Sequence, residues 1–106
     1  MYELNEQDWK MYKNNIANWQ EKYIAKLLDE YKDIIDSSSS NATKFWTLEK
    51  RINKDKKCSG VVIEMRRSAM VEQIIDLLIN KVITFDDLLV FSKELQEYIK
   101  DYLKGI

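Results

Sequence analysis

The chain contains no histidine and no proline, two glycines and one cysteine. Without histidine it lacks the commonest general base, the usual zinc ligand and every Ser-His or Cys-His nucleophile arrangement. Without proline nothing interrupts a long helix, and two glycines supply few of the left-handed positions that tight hairpin turns demand. Gly60 and Gly105, standing apart, form no glycine-rich phosphate loop. A single cysteine, Cys58, excludes an intramolecular disulfide and suits a reducing compartment. Long apolar runs are missing too: Ile74 to Ile83 is interrupted by Asp76, Asn80 and Lys81, whereas a bilayer span takes about 20 apolar residues. The opening Met1-Tyr2-Glu3-Leu4-Asn5-Glu6 is acidic and polar where a secretory leader is basic and then apolar. These absences predict a cytoplasmic protein with no membrane span, no metal or other cofactor and no catalytic centre.

What is present favours helix. Apolar residues make 45% of the 106 residues and charged residues 33%, enough to bury one core and keep a wettable surface, so residues 1–106 read as a single helical domain. From Asn5 to about Asp36 apolar residues recur at Trp9, Tyr12, Ile16, Trp19, Tyr23, Leu27, Leu28, Tyr31, Ile34 and Ile35, mostly at steps of three and four. Asn5 is placed to cap this helix by accepting from the Asp8 amide, and Asn14-Asn15 is its weakest point, where a kink is expected. The run Ser37-Ser38-Ser39-Ser40 reads as a loop, with Asn41 capping a second helix from Ala42 to about Lys56. After Cys58-Ser59-Gly60 a third helix is expected over Val61 to Asn80. Thr84-Phe85-Asp86-Asp87 has capping-box character for a fourth that ends near Lys104-Gly105, with Ser92 able to restart it. The predicted fold is all-α, a four-helix bundle or related compact helical fold with a long N-terminal helix.

Charge is unevenly placed. Between Lys44 and Arg67 there are eight basic residues against three acidic ones, a net +5 in a chain whose total is −1. On the second helix Phe45, Leu48 and Ile52 share the side expected to enter the core. Lys50, Arg51 and Lys54 share the other, with Trp46 at the margin, a pattern that fits either a solvated face or a contact patch. Along the fourth helix Asp86, Asp87, Glu94, Glu97 and Asp101 form an acidic face. Within the third, Arg67 falls among Ile63, Met70, Ile74 and Leu78. A buried guanidinium needs a partner, so Glu49 across the bundle, or Glu64 locally, is expected to pair with it; the alternative is an anion pocket lined by Arg66 and Arg67.

Other chemistry is weak. Cys58 follows two lysines that favour a thiolate, yet no base is placed to orient it. Asp33, Asp36, Asp86 and Asp87 lack the spacing of a calcium loop and read as surface acids. Met70 to Asn80 and the following helix loosely follow helix-turn-helix order. The second of these helices, however, opens on Asp86 and Asp87, the wrong sign for phosphates.

The segments Phe45-Trp46-Thr47-Leu48-Glu49-Lys50-Arg51-Ile52, Asp55-Lys56-Lys57, Gly60-Val61-Val62, Met65-Arg66-Arg67-Ser68 and Ile83-Thr84-Phe85-Asp86-Asp87-Leu88 resemble a family of small, uncharacterised, all-helical bacterial proteins sometimes loosely labelled multidrug transporters. The resemblance covers most of the chain and implies a bacterial or mobile-element origin. It carries no active site, and the transporter label finds no membrane span here. By elimination the expected activity is non-catalytic: regulatory or inhibitory binding of another protein through charged helical faces, above all Lys50, Arg51, Lys54 and Trp46. A nucleic-acid-binding regulator using residues 44–67 is the alternative, a thiol- or metal-dependent enzyme a further one, and a homo-oligomer is left open.

Overall fold

The computed structural model describes residues 2–105. They form an all-α fold: α1 (Glu6–Ile35), α2 (Asn41–Asp55), α3 (Met70–Ile79) and α4 (Lys93–Lys104), with short 3-10 turns at Arg67–Ala69 and Phe85–Val90. The Asn5 side chain accepts from the Asp8 amide at 2.7 Å and starts α1 as its sequence predicts. The helix then runs unbroken through Asn14-Asn15, because Asn15 turns its amide onto the Met11 carbonyl at 2.7 Å instead of competing for the backbone.

One core forms on the N-terminal half of α1. Tyr12, Ile16 and Trp19 meet Met70, Ile74, Ile75 and Leu77 of α3, Ile83, Leu88 and Phe91 of the connection, and Leu95 and Ile99 of α4. The C-terminal half of α1 pairs mainly with α2, as a helical hairpin extending beyond this core, with the turn at Cys58–Gly60 packed on Tyr23, and the molecule measures 53 × 27 × 21 Å. The architecture is a related helical fold, not an even four-helix bundle.

Two expected helices are shorter than predicted. Residues 61–66 are not helical, and α3 begins only at Met70. The run Val61-Val62-Ile63 is β-branched and no side chain caps its start, so helix is unfavourable there. The segment is instead tied down from outside: Gln20 donates to the Ser59 carbonyl at 3.0 Å, and Gln73 donates to the Glu64 carbonyl at 2.8 Å while accepting from the Tyr12 hydroxyl at 2.8 Å. Gly60 lies so close to the Tyr23 ring that a Cβ there would stand 2.8 Å from its Cγ. The α3 helix closes with Lys81 in the left-handed region (φ 60°), Val82 donating to the Leu77 carbonyl and Lys81 to that of Leu78.

The predicted fourth helix divides at Phe91, which is extended, and restarts at Ser92. Thr84 and Asp87 form the expected capping box, but on the 3-10 turn. Asp8 supplies the reason for the break. Its carboxylate, 1% exposed, accepts from the Ser92 amide (2.7 Å), the Ser92 hydroxyl (2.6 Å) and the Tyr2 hydroxyl (2.7 Å), fastening the start of α4 to the start of α1. Desolvation, followed by this bond to Asp8, pushes the Tyr2 pKa up to about 12.

Candidate partner-binding surface on the helical hairpin

Ser40, not Asn41, caps α2, accepting from the Thr43 amide at 3.2 Å. The helix then packs antiparallel on α1 through polar contacts. Arg51 reaches Glu30 at 3.0 Å and its own Asp55 at 3.4 Å, with its guanidinium 5.6 Å from the Tyr31 ring centroid. Tyr31 donates to Asp55 at 2.6 Å. The hydrogen bond to Glu30 raises the Arg51 pKa, and desolvation, then the bond to Asp55, raises that of Tyr31 to about 12. No residue of α2 is buried.

This arrangement corrects two expectations. The expected core side of α2 lies in water, with Phe45 63% and Ile52 43% exposed and only Leu48 half-buried, because α3 approaches the hairpin on its opposite flank, where Asp76 and Lys54 line one cleft. Arg51 leaves the predicted basic patch and becomes the clamp that holds α2, since it alone of the three cations faces α1. Lys50 and Lys54 remain exposed, and Trp46 stands 59% exposed with its ring 5.0 Å from that of Phe45, edge to face.

Helical geometry separates two exposed faces. At about 100° per residue, Lys44, Leu48, Arg51 and Asp55 point at α1, Phe45 and Ile52 lie on one flank, and Trp46, Lys50 and Lys54 occupy the outer side and the other flank. On α1, Lys26 and Glu30 take one flank, while Leu28 (58% exposed) and Ile35 (52%) take the opposite one. Lys26, Glu30 and Lys54 line a single open cleft of about 520 Å³ with Tyr23, Cys58 and Asp76, so they share a flank. Leu28 and Ile35 therefore share the remaining flank with Phe45 and Ile52.

The expected Arg67–Glu49 pair does not form. Arg67 is exposed and pairs with Glu6, while Glu49 is exposed on α2 and accepts from Asn53. The Arg67 misplacement follows from the missing helix over 61–66, since with Arg67 in a 3-10 turn the wheel that put it in the core does not apply; that of Glu49 follows from the exposure of α2. Arg66 and Arg67 border a shallow, open depression with Leu4 and Ser68. The acidic face is also divided, Glu94, Glu97 and Asp101 lying exposed on α4 while Asp87 is engaged by Thr84.

The cleft beneath the clamp was not visible in the sequence. In it the Cys58 thiol lies 3.7 Å from the Tyr23 hydroxyl, whose pKa is pushed up to about 12 by desolvation, followed by this contact. Among the described residues no three acidic, cysteine or histidine side chains converge as a metal site, and no helix is long and apolar enough to cross a membrane. No known protein family, no curated protein and no solved structure matches the chain.

Proposed function

We propose that this protein is a non-catalytic binding protein that engages a protein partner through the outer face of α2, formed by Trp46, Lys50 and Lys54. The observation that carries the reading is the exposure of Trp46, at 59%, at the head of a row with the exposed lysines Lys50 and Lys54 on a helix that has no fully buried residue. Tryptophan is among the residues that most often anchor interfaces, and the two lysines beside it match an acidic protein surface. A regulatory or inhibitory role in the cytoplasm agrees with such a surface and with the absence of histidine.

The account predicts that Lys50→Glu/Lys54→Glu and Trp46→Ala each leave the melting temperature nearly unchanged, since exposed charges contribute only ~0–1 kcal/mol to stability. Capture of the native partner from host lysate should fall sharply, because losing a hot-spot tryptophan typically costs ~2 kcal/mol or more. Arg51 is left out of this set, since replacing it would loosen the hairpin itself. An unchanged set of captured proteins would refute the surface. If instead the retained species is nucleic acid, with affinity falling steeply and sequence-independently as salt rises, the surface stands and the partner class is wrong.

A further inference from the structure

The second exposed face of the hairpin carries its own message. Along α1 this flank is occupied by Lys10, Asn14, Ala17 and Glu21 where α2 is absent, and it turns apolar at Leu28 and Ile35 where α2 begins to pair. The same flank of α2 presents Phe45 and Ile52, with Leu48 half-buried behind them. The 3.0 Å contact between Glu30 and Arg51 fixes the antiparallel register. It sets Leu28 level with Ile52 and Ile35 level with Phe45, each to within one residue, so the four side chains form two apolar layers. The core lies on the other flank and leaves this one uncovered.

We infer that this face is a self-association surface, on which a second copy of the chain seats its own α1–α2 hairpin to complete a four-helix bundle across a twofold axis. The charges at the rim select that occupant. Lys32 on the outer edge of α1 and Glu49 on the outer edge of α2 are both exposed and stand at the same level in this register. Within one chain the width of the hairpin separates them. When one hairpin is laid on another by a twofold rotation, α1 of each copy covers α2 of the other. Lys32 of one copy then opposes Glu49 of its mate, twice over. An isologous contact requires such self-complementarity, and two layers of aliphatic and aromatic side chains with a charged rim follow the pattern of a bundle interface. Two helices, each ~10 Å across, over the ~22 Å length of α2 give a projected face of roughly 440 Å², about half the ~800 Å² per partner of a standard interface, so the contact is a small one that assembles at high concentration. Lys50 and Lys54 point away from this seam and Trp46 borders it, its ring 5.0 Å from that of Phe45, so a dimer presents two copies of the proposed partner-binding surface.

Sedimentation equilibrium of the intact protein tests this. Over a concentration series rising to about 1 mM, as suits a small, weak interface, the weight-average mass of wild type should climb from the 12.7 kDa of the chain toward twice that value. Phe45→Glu and Leu28→Glu should each give a monomer with unchanged helicity and melting of the core. Lys32→Glu alone and Glu49→Lys alone should each weaken the dimer about tenfold or more by setting like charges against each other. Lys32→Glu/Glu49→Lys should restore it, a rescue that only an intermolecular contact can produce. A monomeric wild type, a dimer indifferent to Phe45→Glu, or a charge swap without rescue would overturn the proposal. Because Lys50→Glu/Lys54→Glu tests the other face, a monomer that still loses its partner with Lys50→Glu/Lys54→Glu would sink the dimer while leaving the proposed function intact.

Discussion

At the scale of single residues, the molecule depends on a buried carboxylate that forms no ion pair among the described residues. Asp8 is fully enclosed and is satisfied entirely by neutral donors, the Tyr2 and Ser92 hydroxyls and the Ser92 amide, at 2.6–2.7 Å. Such bonds to an ionised acceptor are roughly twice as strong as neutral ones, and each donor would be stranded if the acceptor were lost. Asp8→Asn replaces one acceptor with an amide that points hydrogens at existing donors, so it should destabilise by about 2–4 kcal/mol, read as a loss of free energy in urea melts. Ser92→Ala, which removes one of the same bonds and the α4 cap together, should lower stability without adding fully to the first loss. The sequence singled out Asp8 only for its backbone amide, the donor to the Asn5 cap. Its partner lies 84 positions away, and no local pattern encodes that meeting.

At the scale of elements, what could be read depended on how local the cause was. The α1 helix and its Asn5 cap, the Thr84–Asp87 box and the restart at Ser92 all follow from residues within four positions of one another, and all are present. The extended stretch over 61–66 was missed because its β-branched residues also fit a helical spacing, and it is side chains from α1 and α3, Gln20 and Gln73, that hold it in place. That error carried Arg67 and Glu49 into a buried pair that does not exist. The amphipathic pattern of α2 was legible, but its orientation was not: the wheel names two faces without saying which one meets α1. Arg51 decides this by reaching Glu30 and Asp55. Because that clamp is partly exposed, its loss should be modest and confined to the hairpin. Arg51→Ala should raise hydrogen-exchange rates of α2 amides in monomeric protein by about tenfold, roughly 1.4 kcal/mol of local opening, and leave α3 and α4 unchanged. Equal acceleration everywhere would mean that α2 is part of the main cooperative unit.

At the scale of the whole molecule, a core on one half of α1 and a polar-clamped hairpin on the other divide the chain into a part that holds the fold and a part left largely open to solvent. The first draws its stability from Tyr12, Met70, Ile74, Leu77, Leu88, Leu95 and Ile99, all almost entirely removed from water. The second leaves Phe45, Trp46 and Ile52 in solvent and keeps Lys50 and Lys54 free. The candidate site was legible in the sequence as Trp46, Lys50 and Lys54. Arg51 was misassigned because a charge on a wheel says nothing of the acid awaiting it on a neighbouring helix. The central claim, that α2 offers its aromatic side to solvent instead of to the core, is tested most directly by tryptophan fluorescence. Subtracting the emission of Trp46→Phe from that of wild type isolates Trp46 from Trp9 and Trp19. The account predicts a difference spectrum with the red-shifted emission of a hydrated indole, freely quenched by acrylamide. A blue-shifted, unquenched Trp46 would place α2 in the core and contradict it.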